Sequence, residues 1–182
     1  MNSSDTLSLQ GHRLLQIGVA LFLFSSLEGF AVPHFAVPSL GRSVHTLSAF
    51  SGIILLTLGL LWPRLNLGAA ASRIAFWLFI YSAFATLAGF VMAAVWGAGN
   101  SIIPLAAGTA RGTDFQEAAI NVVMYSGAPG ILISLALILW GLRIVPPSVR
   151  GRMAGARDVR ENHDTSTRYG RYGAVSVMKA LV

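Results

Sequence analysis

The stretch Val44–Trp62 reads VHTLSAFSGIILLTLGLLW and decides the fold class. It carries no Asp, Glu, Lys or Arg, and its length approaches the roughly 20 apolar residues that a membrane-spanning helix needs. Small side chains follow the imidazole of His45, so a bulky group can approach the backbone beside the ring; they are Ser48, Ala49, Ser51 and Gly52. We interpret the stretch as the second of four membrane helices and His45 as the best single candidate for a functional ligand.

The composition of the whole chain also indicates a membrane protein. Of its 182 residues, 54% are hydrophobic and 11% are charged, whereas soluble domains contain roughly 25% charged residues. The mean hydropathy is +0.66. Cysteine is absent, which excludes disulfides, thiolate metal sites and cysteine nucleophiles. The net charge of +6 comes mostly from the C-terminal part of the chain and favours contact with anionic lipid over nucleic-acid binding.

Four apolar segments predict an all-α protein, an integral membrane four-helix bundle. The predicted spans are about 14–35, 45–62, 74–96 and 115–142. They belong to one domain, residues 12–144, which follows a polar and loose N-terminal segment, residues 1–11. The arginine-rich tail, residues 145–182, is predicted to be disordered. A secretory signal peptide is the competing interpretation of the first segment, but the apolar run exceeds the usual length of about 7–15 residues and contains Glu28.

The arginines near the spans are distributed unequally between the two sides of the membrane. One side holds Arg13, Arg64, Arg73, Arg143 and the tail, and the other side holds Arg42 and Arg111. The positive-inside rule therefore predicts a bacterial inner-membrane protein with both termini in the cytoplasm. In this topology the strongly polar candidates lie in the outer half of the bundle; they are Glu28, His34, His45, Trp96, Asn100, Gln116, Glu117 and Asn121.

Polar side chains in the fourth span form a second group of candidates. Glu117, Asn121 and Tyr125 are spaced i, i+4, i+8 and are predicted to line one helix face. Because an unsatisfied polar group in hydrocarbon costs several kcal/mol, they should contact each other, a cavity or a neighbouring subunit. Ionisable groups inside a membrane indicate function by default. The structural alternatives are interhelical hydrogen bonds for Glu28, Asn121 and Tyr125, and an interfacial position for His45.

Several blocks of the sequence resemble hydroxylaminobenzene mutases. The blocks are LQGHRLLQ (9–16), SLEGF (26–30), SVHTL (43–47), GLLWPRLNLG (59–68) and ALILWGL (136–142). Together they cover residues 9–144, in order and with similar spacing, and the arginine-rich tail lies outside them. The resemblance is specific because separate blocks agree along most of the chain.

As the resemblance implies, this family rearranges hydroxylaminobenzene to 2-aminophenol during bacterial nitroarene breakdown, by an intramolecular hydroxyl shift without net redox change. Cleaving the N–O bond needs a Brønsted or Lewis acid on the departing oxygen. We expect this acid at Glu28 or at iron bound by His45, with Asn121 and Tyr125 orienting the substrate ring. The predicted walls of an apolar slot for this membrane-permeable substrate are Phe90, Trp96 and Tyr125.

The four-span layout more distantly resembles styrene oxide isomerase. That family, by the same resemblance, is trimeric and holds haem b between subunits, and a histidine that opens the second span ligates ferric iron, the Lewis acid. His45 falls on this position, which implies haem and a homotrimer here. The family's motif His-x5-Asn-Gly departs at Ser51-Gly52, where a shorter serine would contact the substrate.

The sequence leaves three other functions open. The chain is an isomerase of arene epoxides, a haem-binding electron-transfer subunit, or a non-enzymatic membrane scaffold or small transporter. Electron-transfer subunits usually use paired histidines on facing spans, and here only His45 is well placed. The expected partners are a small aromatic substrate, membrane lipid and further copies of the chain, and no nucleic acid.

Overall fold

The computed structural model describes residues 3–143, which form five α-helices and two short 3-10 helices. The α-helices are α1 (Ser3–Glu28), α2 (Pro38–Leu61), α3 (Ala69–Trp96), α4 (Pro104–Ala107) and α5 (Asp114–Gly141). The 3-10 helices are Val32–His34 and Trp62–Arg64. No strand occurs within residues 3–143, which confirms the all-α class for this part of the chain. The tail that is predicted to be disordered, residues 145–182, lies outside the described residues.

Four of the helices, α1, α2, α3 and α5, are long and apolar enough to cross a membrane. Large apolar side chains are exposed on their outer faces, for example Leu23 (61% exposed), Leu60 (68%) and Leu139 (71%). Lipid tails are as apolar as these side chains, so such exposure is favourable in a bilayer and unfavourable in water. The predicted integral membrane four-helix bundle is confirmed.

The first helix differs from the predicted span at both ends. It begins at Ser3, so nearly all of the segment 1–11 is helical and not loose. It ends at Glu28, well before the predicted end at 35, because glycine and proline interrupt the apolar run at Gly29 and Pro33. A proline has no N–H to continue the helical hydrogen bonds, and it is accommodated near the start of the 3-10 helix.

The second helix begins earlier than predicted. Its first residue is Pro38, whose fixed φ and missing N–H suit the first turn of a helix. The prediction that His45 opens this span was therefore wrong, and the residue lies about two turns inside α2.

The boundaries of α3 and α5 follow recognisable capping residues. α3 begins at Ala69, ahead of the predicted start at 74, and ends at Trp96 as predicted. Gly97 follows with φ of 64°, a left-handed conformation that glycine adopts without steric cost. Thr113 and Gln116 form a reciprocal capping box at the start of α5, which lies within one residue of the predicted span 115–142.

Two helix pairs make up the bundle: α1 packs along α2, and α3 packs along α5. Glycines bring α1 and α2 into backbone contact at two levels. A Cβ on Gly18 would lie 2.9 Å from the carbonyl oxygen of Gly52, and one on Gly11 would lie 2.8 Å from that of Gly59. No real side chain tolerates such distances, so these glycines determine how closely the two helices approach.

Hydrogen bonds join α3 to α5 and connect the two helix pairs. In the α3–α5 pair, the hydroxyl of Ser134 donates to the carbonyl of Ala75 at 2.9 Å. At the end of the bundle where α2 finishes, the amide oxygen of Gln10 on α1 accepts from Trp62 Nε1 at 3.1 Å and from the hydroxyl of Ser72 on α3. Trp62 is fully buried, and this network connects the two helix pairs.

Candidate active site

The candidate active site is a group of three polar residues, Ser25, Glu28 and His45, where α1 ends beside the early turns of α2. Nδ1 of His45 lies 2.9 Å from the carbonyl oxygen of Ser25 and 3.6 Å from Oε2 of Glu28. The Ser25 hydroxyl donates to the carbonyl of His45 at 2.9 Å. We call these residues the His45 group. Two hydrogen bonds thus join the helix pair, one in each direction, and the one from Nδ1 orients the imidazole.

The hydrogen bond to Ser25 determines the tautomer of His45. A carbonyl oxygen only accepts hydrogen bonds, so Nδ1 must carry the proton that it donates. Nε2 makes no hydrogen bond to any described residue, and the side chain is 46% exposed. In the neutral ring, Nε2 therefore carries a lone pair that no described residue uses. This arrangement is typical of metal-ligating histidines, whose second nitrogen donates to a carbonyl or carboxylate.

The carboxyl group of Glu28 lies on the Nδ1 side of the imidazole. Its side chain is 5% exposed, and among the described residues neither carboxyl oxygen has a hydrogen-bond partner. A buried carboxyl without partners is costly, and the one titratable neighbour that the structure gives it is His45. Glu28 is therefore placed to act on the imidazole, and contact with a substrate at Nε2 would have to come from other residues.

Gly29 makes room for the ring. A Cβ at this position would lie 3.2 Å from both Cε1 and Nδ1 of His45, closer than ordinary van der Waals contact. The glycine after Glu28 thus has a steric role that the sequence pattern alone does not reveal.

A second polar group is centred on Glu117, near the start of α5. Its carboxylate accepts hydrogen bonds from the backbone N–H groups of Gly99 (2.8 Å), Ser101 (3.1 Å) and Gly112 (3.1 Å), and from the Ser101 hydroxyl (2.6 Å). Glu117 is 6% exposed. All four donors belong to the segment 97–113 between α3 and α5, so this buried carboxylate organises that connection.

The structure does not place the other predicted site residues in the His45 group. Asn121 donates to the Ser101 hydroxyl at 3.1 Å, and Tyr125 is 66% exposed. The side chains spaced i, i+4, i+8 differ in exposure, from the buried Glu117 to the exposed Tyr125, because each step of four residues turns about 40° around the helix. Ser51 is half-buried and lies about 120° around α2 from His45, since six residues make 600° of rotation.

Two residues of these groups were missed by the sequence analysis. Ser25 precedes Glu28 by one helical turn, and a hydroxyl at that spacing was the available signal. Ser101 lies in the connection after α3, where nothing in the local sequence indicates a contact with Glu117, 16 residues later. Of the predicted slot walls, Phe90 lines a groove beside α2, and Trp96 and Tyr125 are exposed elsewhere on the bundle.

Comparison with known proteins gives a consistent result. Residues 10–143 match the family described as styrene oxide isomerase. Hydroxylaminobenzene mutase HabB of Ectopseudomonas oleovorans is 43% identical over 134 residues, which cover 74% of this chain and 82% of that protein. Hydroxylaminobenzene mutase HabA of the same organism is 35% identical over 129 residues, 71% of this chain and 96% of that protein. No solved structure matches the chain at a significant level.

Proposed function

The chain belongs to the styrene oxide isomerase family and is a membrane isomerase, and from this premise we propose that it rearranges hydroxylaminobenzene to 2-aminophenol. The two hydroxylaminobenzene mutases that resemble it supply the substrate of this proposal. In the reaction the N–O bond breaks, a C–O bond forms at the ortho carbon, and the proton of that carbon is lost while nitrogen gains one. Substrate and product are isomers, so no oxidant or reductant is consumed.

The observation that carries the proposal is the His45 group. Breaking an N–O bond leaves negative charge on oxygen, and an acid at that oxygen lowers the barrier. His45 donates its Nδ1 proton to the carbonyl of Ser25, and Nε2 has no hydrogen-bond partner among the described residues. We propose that the acid acts on the substrate from the Nε2 side of this ring. Ser25 fixes the orientation of the imidazole, and Glu28 places a carboxyl beside Nδ1, where it stabilises positive charge on the ring and its ligand.

The residues of the His45 group fit haem. Among the described residues no cluster of three His, Cys, Asp or Glu side chains exists that would hold a bare metal ion. A porphyrin brings four nitrogen ligands of its own, so one exposed Nε2 suffices as the protein ligand. Haem b bound there would supply a Lewis acid for the departing oxygen. His45 would hold the iron, and the Glu28 carboxyl and the Ser25 carbonyl would orient and polarise the imidazole.

Asn121 and Tyr125 enter the proposal through the oligomer, whereas Ser51 lies on the same helix as His45. In one chain the first two lie on α5, which packs along α3 and not along the α1–α2 pair that holds His45. We propose a homo-oligomer, a trimer by analogy with the family, in which Asn121 and Tyr125 of one subunit orient the substrate ring at His45 of its neighbour. The half-exposed imidazole and the exposed Tyr125 support this assignment because both are accessible to a second subunit. Ser51 keeps its proposed role as a hydroxyl that contacts the substrate.

The distribution of charge supports a proposal for the location in the cell. We propose an inner-membrane protein with both termini in the cytoplasm, so that the His45 group lies in the outer half of the bilayer. Arg13 near the start of the described chain, Arg64 and Arg73 lie on the proposed cytoplasmic side, and Arg42 and Arg111 lie on the other.

Isomerisation of an arene epoxide is the second candidate function. The family match over residues 10–143 favours it, and the chemistry is related, since an epoxide also opens when an acid binds its oxygen. Both reactions would use His45 in the same way, and they differ in the substrate.

The proposal is tested with the full-length protein in detergent, by recording its absorption spectrum and then adding hydroxylaminobenzene or styrene oxide. We expect 2-aminophenol as the product, a Soret band in the wild type, and loss of both in His45→Ala. Glu28→Gln should keep the Soret band and lower turnover about tenfold or more. Conversion by colourless protein would remove haem from the mechanism and assign the acid to Glu28 and its neighbours. Wild-type turnover in both folded variants would disprove the assignment of the site, and a Soret band without conversion of either substrate would support electron transfer.

A further inference from the structure

A groove of about 840 Å³ runs along α2 on the side away from α1. Its apolar lining includes Leu47 and Phe50 of α2, Phe90 of α3, and Ile103 and Leu105 of the segment that holds α4. The volume is typical of sites for ligands much larger than a single aromatic ring. The groove therefore has room for a ligand larger than hydroxylaminobenzene.

The hydroxyl groups that line the groove are already used. Ser39 donates to the carbonyl of Ala106 at 2.7 Å, Ser43 donates to that of Ser39 at 3.1 Å, and Thr46 donates to that of Arg42 at 3.0 Å. Each of these bonds satisfies a hydroxyl within the fold. The polar group of the groove lining whose N–H donors remain without a described partner is the guanidinium of Arg42.

Within residues 3–143, Arg42 has no acidic partner. No aspartate or glutamate lines the groove, and no described residue forms a hydrogen bond or ion pair with the Arg42 side chain. A guanidinium offers five N–H donors in a geometry that matches phosphate and carboxylate. An apolar groove with one unpaired cation at its end is complementary to a long apolar molecule with an anionic head.

The groove also runs in the direction of a membrane lipid, from the membrane surface towards the middle of the bilayer. Arg42 lies in the second turn of α2, near one end of the bundle, and Phe50 lies about 12 Å further along the helix, towards the middle of the membrane. A lipid that places its headgroup at the membrane surface would meet Arg42 first, and its acyl chain would then follow Leu47 and Phe50 inward.

We propose that this groove is a binding site for an acidic phospholipid, with the phosphate on Arg42 and one acyl chain along Leu47, Phe50 and Phe90. The wall formed by Ile103 and Leu105 belongs to the connection that Glu117 organises, so the site is built into the fold and does not depend on the lipid for its shape. The inference rests on the membrane topology and not on the proposed mutase reaction.

The experiment compares binding of dioleoylphosphatidylglycerol and dioleoylphosphatidylcholine to the delipidated full-length protein by native mass spectrometry. We expect the wild type to prefer the acidic lipid. Arg42→Gln should reduce that preference about fivefold, the effect of removing one cation near a membrane surface. Arg42→Lys should retain most of it. Arg73→Gln is the matched control because Arg73 is also an exposed arginine on a membrane helix, but outside the groove.

A second variant tests the acyl-chain part of the site. Thr46→Trp should fill the groove and lower the binding of both lipids while Arg42 remains. The proposal is overturned by a wild type that does not discriminate between the lipids, by equal losses in Arg42→Gln and Arg73→Gln, or by full binding in Thr46→Trp. Loss of a Soret band in Arg42→Gln with lipid binding unchanged would assign the guanidinium to haem propionates in place of lipid.

Discussion

The imidazole of His45 is held by a hydrogen bond that depends on backbone and not on side-chain chemistry. Its Nδ1 donates to the carbonyl of Ser25, a group that any residue at position 25 would provide. The orientation of the ring therefore depends on how α1 and α2 are placed relative to each other. Glu28 adds charge beside the ring, and Gly29 adds space.

Gly29→Ala tests the space around the ring. The new methyl group would lie 3.2 Å from Nδ1 and Cε1, so the imidazole must shift by a few tenths of an ångström and its bond to Ser25 must lengthen. Because catalytic groups tolerate little displacement, we expect kcat/KM for 2-aminophenol formation to fall about tenfold with the protein still folded. Gly68→Ala is the control, since a Cβ there meets nothing within 4 Å. Equal activity of the two variants would contradict the proposed packing.

The elements of the bundle are joined in two different ways. Within the α1–α2 pair, glycine allows direct backbone contact, and the His45 group lies at one end of that contact. Between α3 and α5, the connection of residues 97–113 is held by the carboxylate of Glu117. A buried carboxylate with four donors is a stable arrangement, whereas the same donors without it would be left unsatisfied.

Glu117→Gln tests this connection. An amide has only one acceptor oxygen, so its NH₂ group would face donors that now contact the carboxylate. We expect a loss of about 2 kcal/mol in the free energy of unfolding, the usual cost of leaving buried donors unpaired. Hydrogen–deuterium exchange of residues 99–112 should rise, and exchange in α1 should not change. Asp114→Asn, an exposed acid three residues earlier, is the control. If both variants exchange alike, Glu117 does not organise the connection.

The whole molecule explains why the predicted site is incomplete in a single chain. The His45 group belongs to the α1–α2 pair, and Asn121 and Tyr125 belong to the α3–α5 pair. An active site that contains both sets of residues must combine them from different subunits, or the bundle must rearrange. The proposed homo-oligomer favours the first possibility.

Complementation between inactive subunits tests this arrangement. If Asn121 acts on the site of a neighbour, oligomers that contain both His45→Ala and Asn121→Ala subunits should regain activity, because some sites combine an intact His45 with an intact Asn121. Co-purified mixtures carrying two affinity tags should exceed the sum of the single variants. The control pairs His45→Ala with Glu28→Gln, whose residues share one helix pair, and should show no gain. Equal results for both mixtures would contradict a site that is shared between subunits.

The sequence by itself determined the membrane class, the four spans and the candidates Glu28 and His45. It could do so because the length of an apolar segment is set by the thickness of the bilayer, and an ionisable group stands out within such a segment. Only the tertiary structure decided how the helices pair, which nitrogen of His45 is free, and that Glu117 holds a connection. Most of these features depend on contacts between residues 16 or more positions apart. Such contacts form where glycines let helices approach, and no local periodicity contains them.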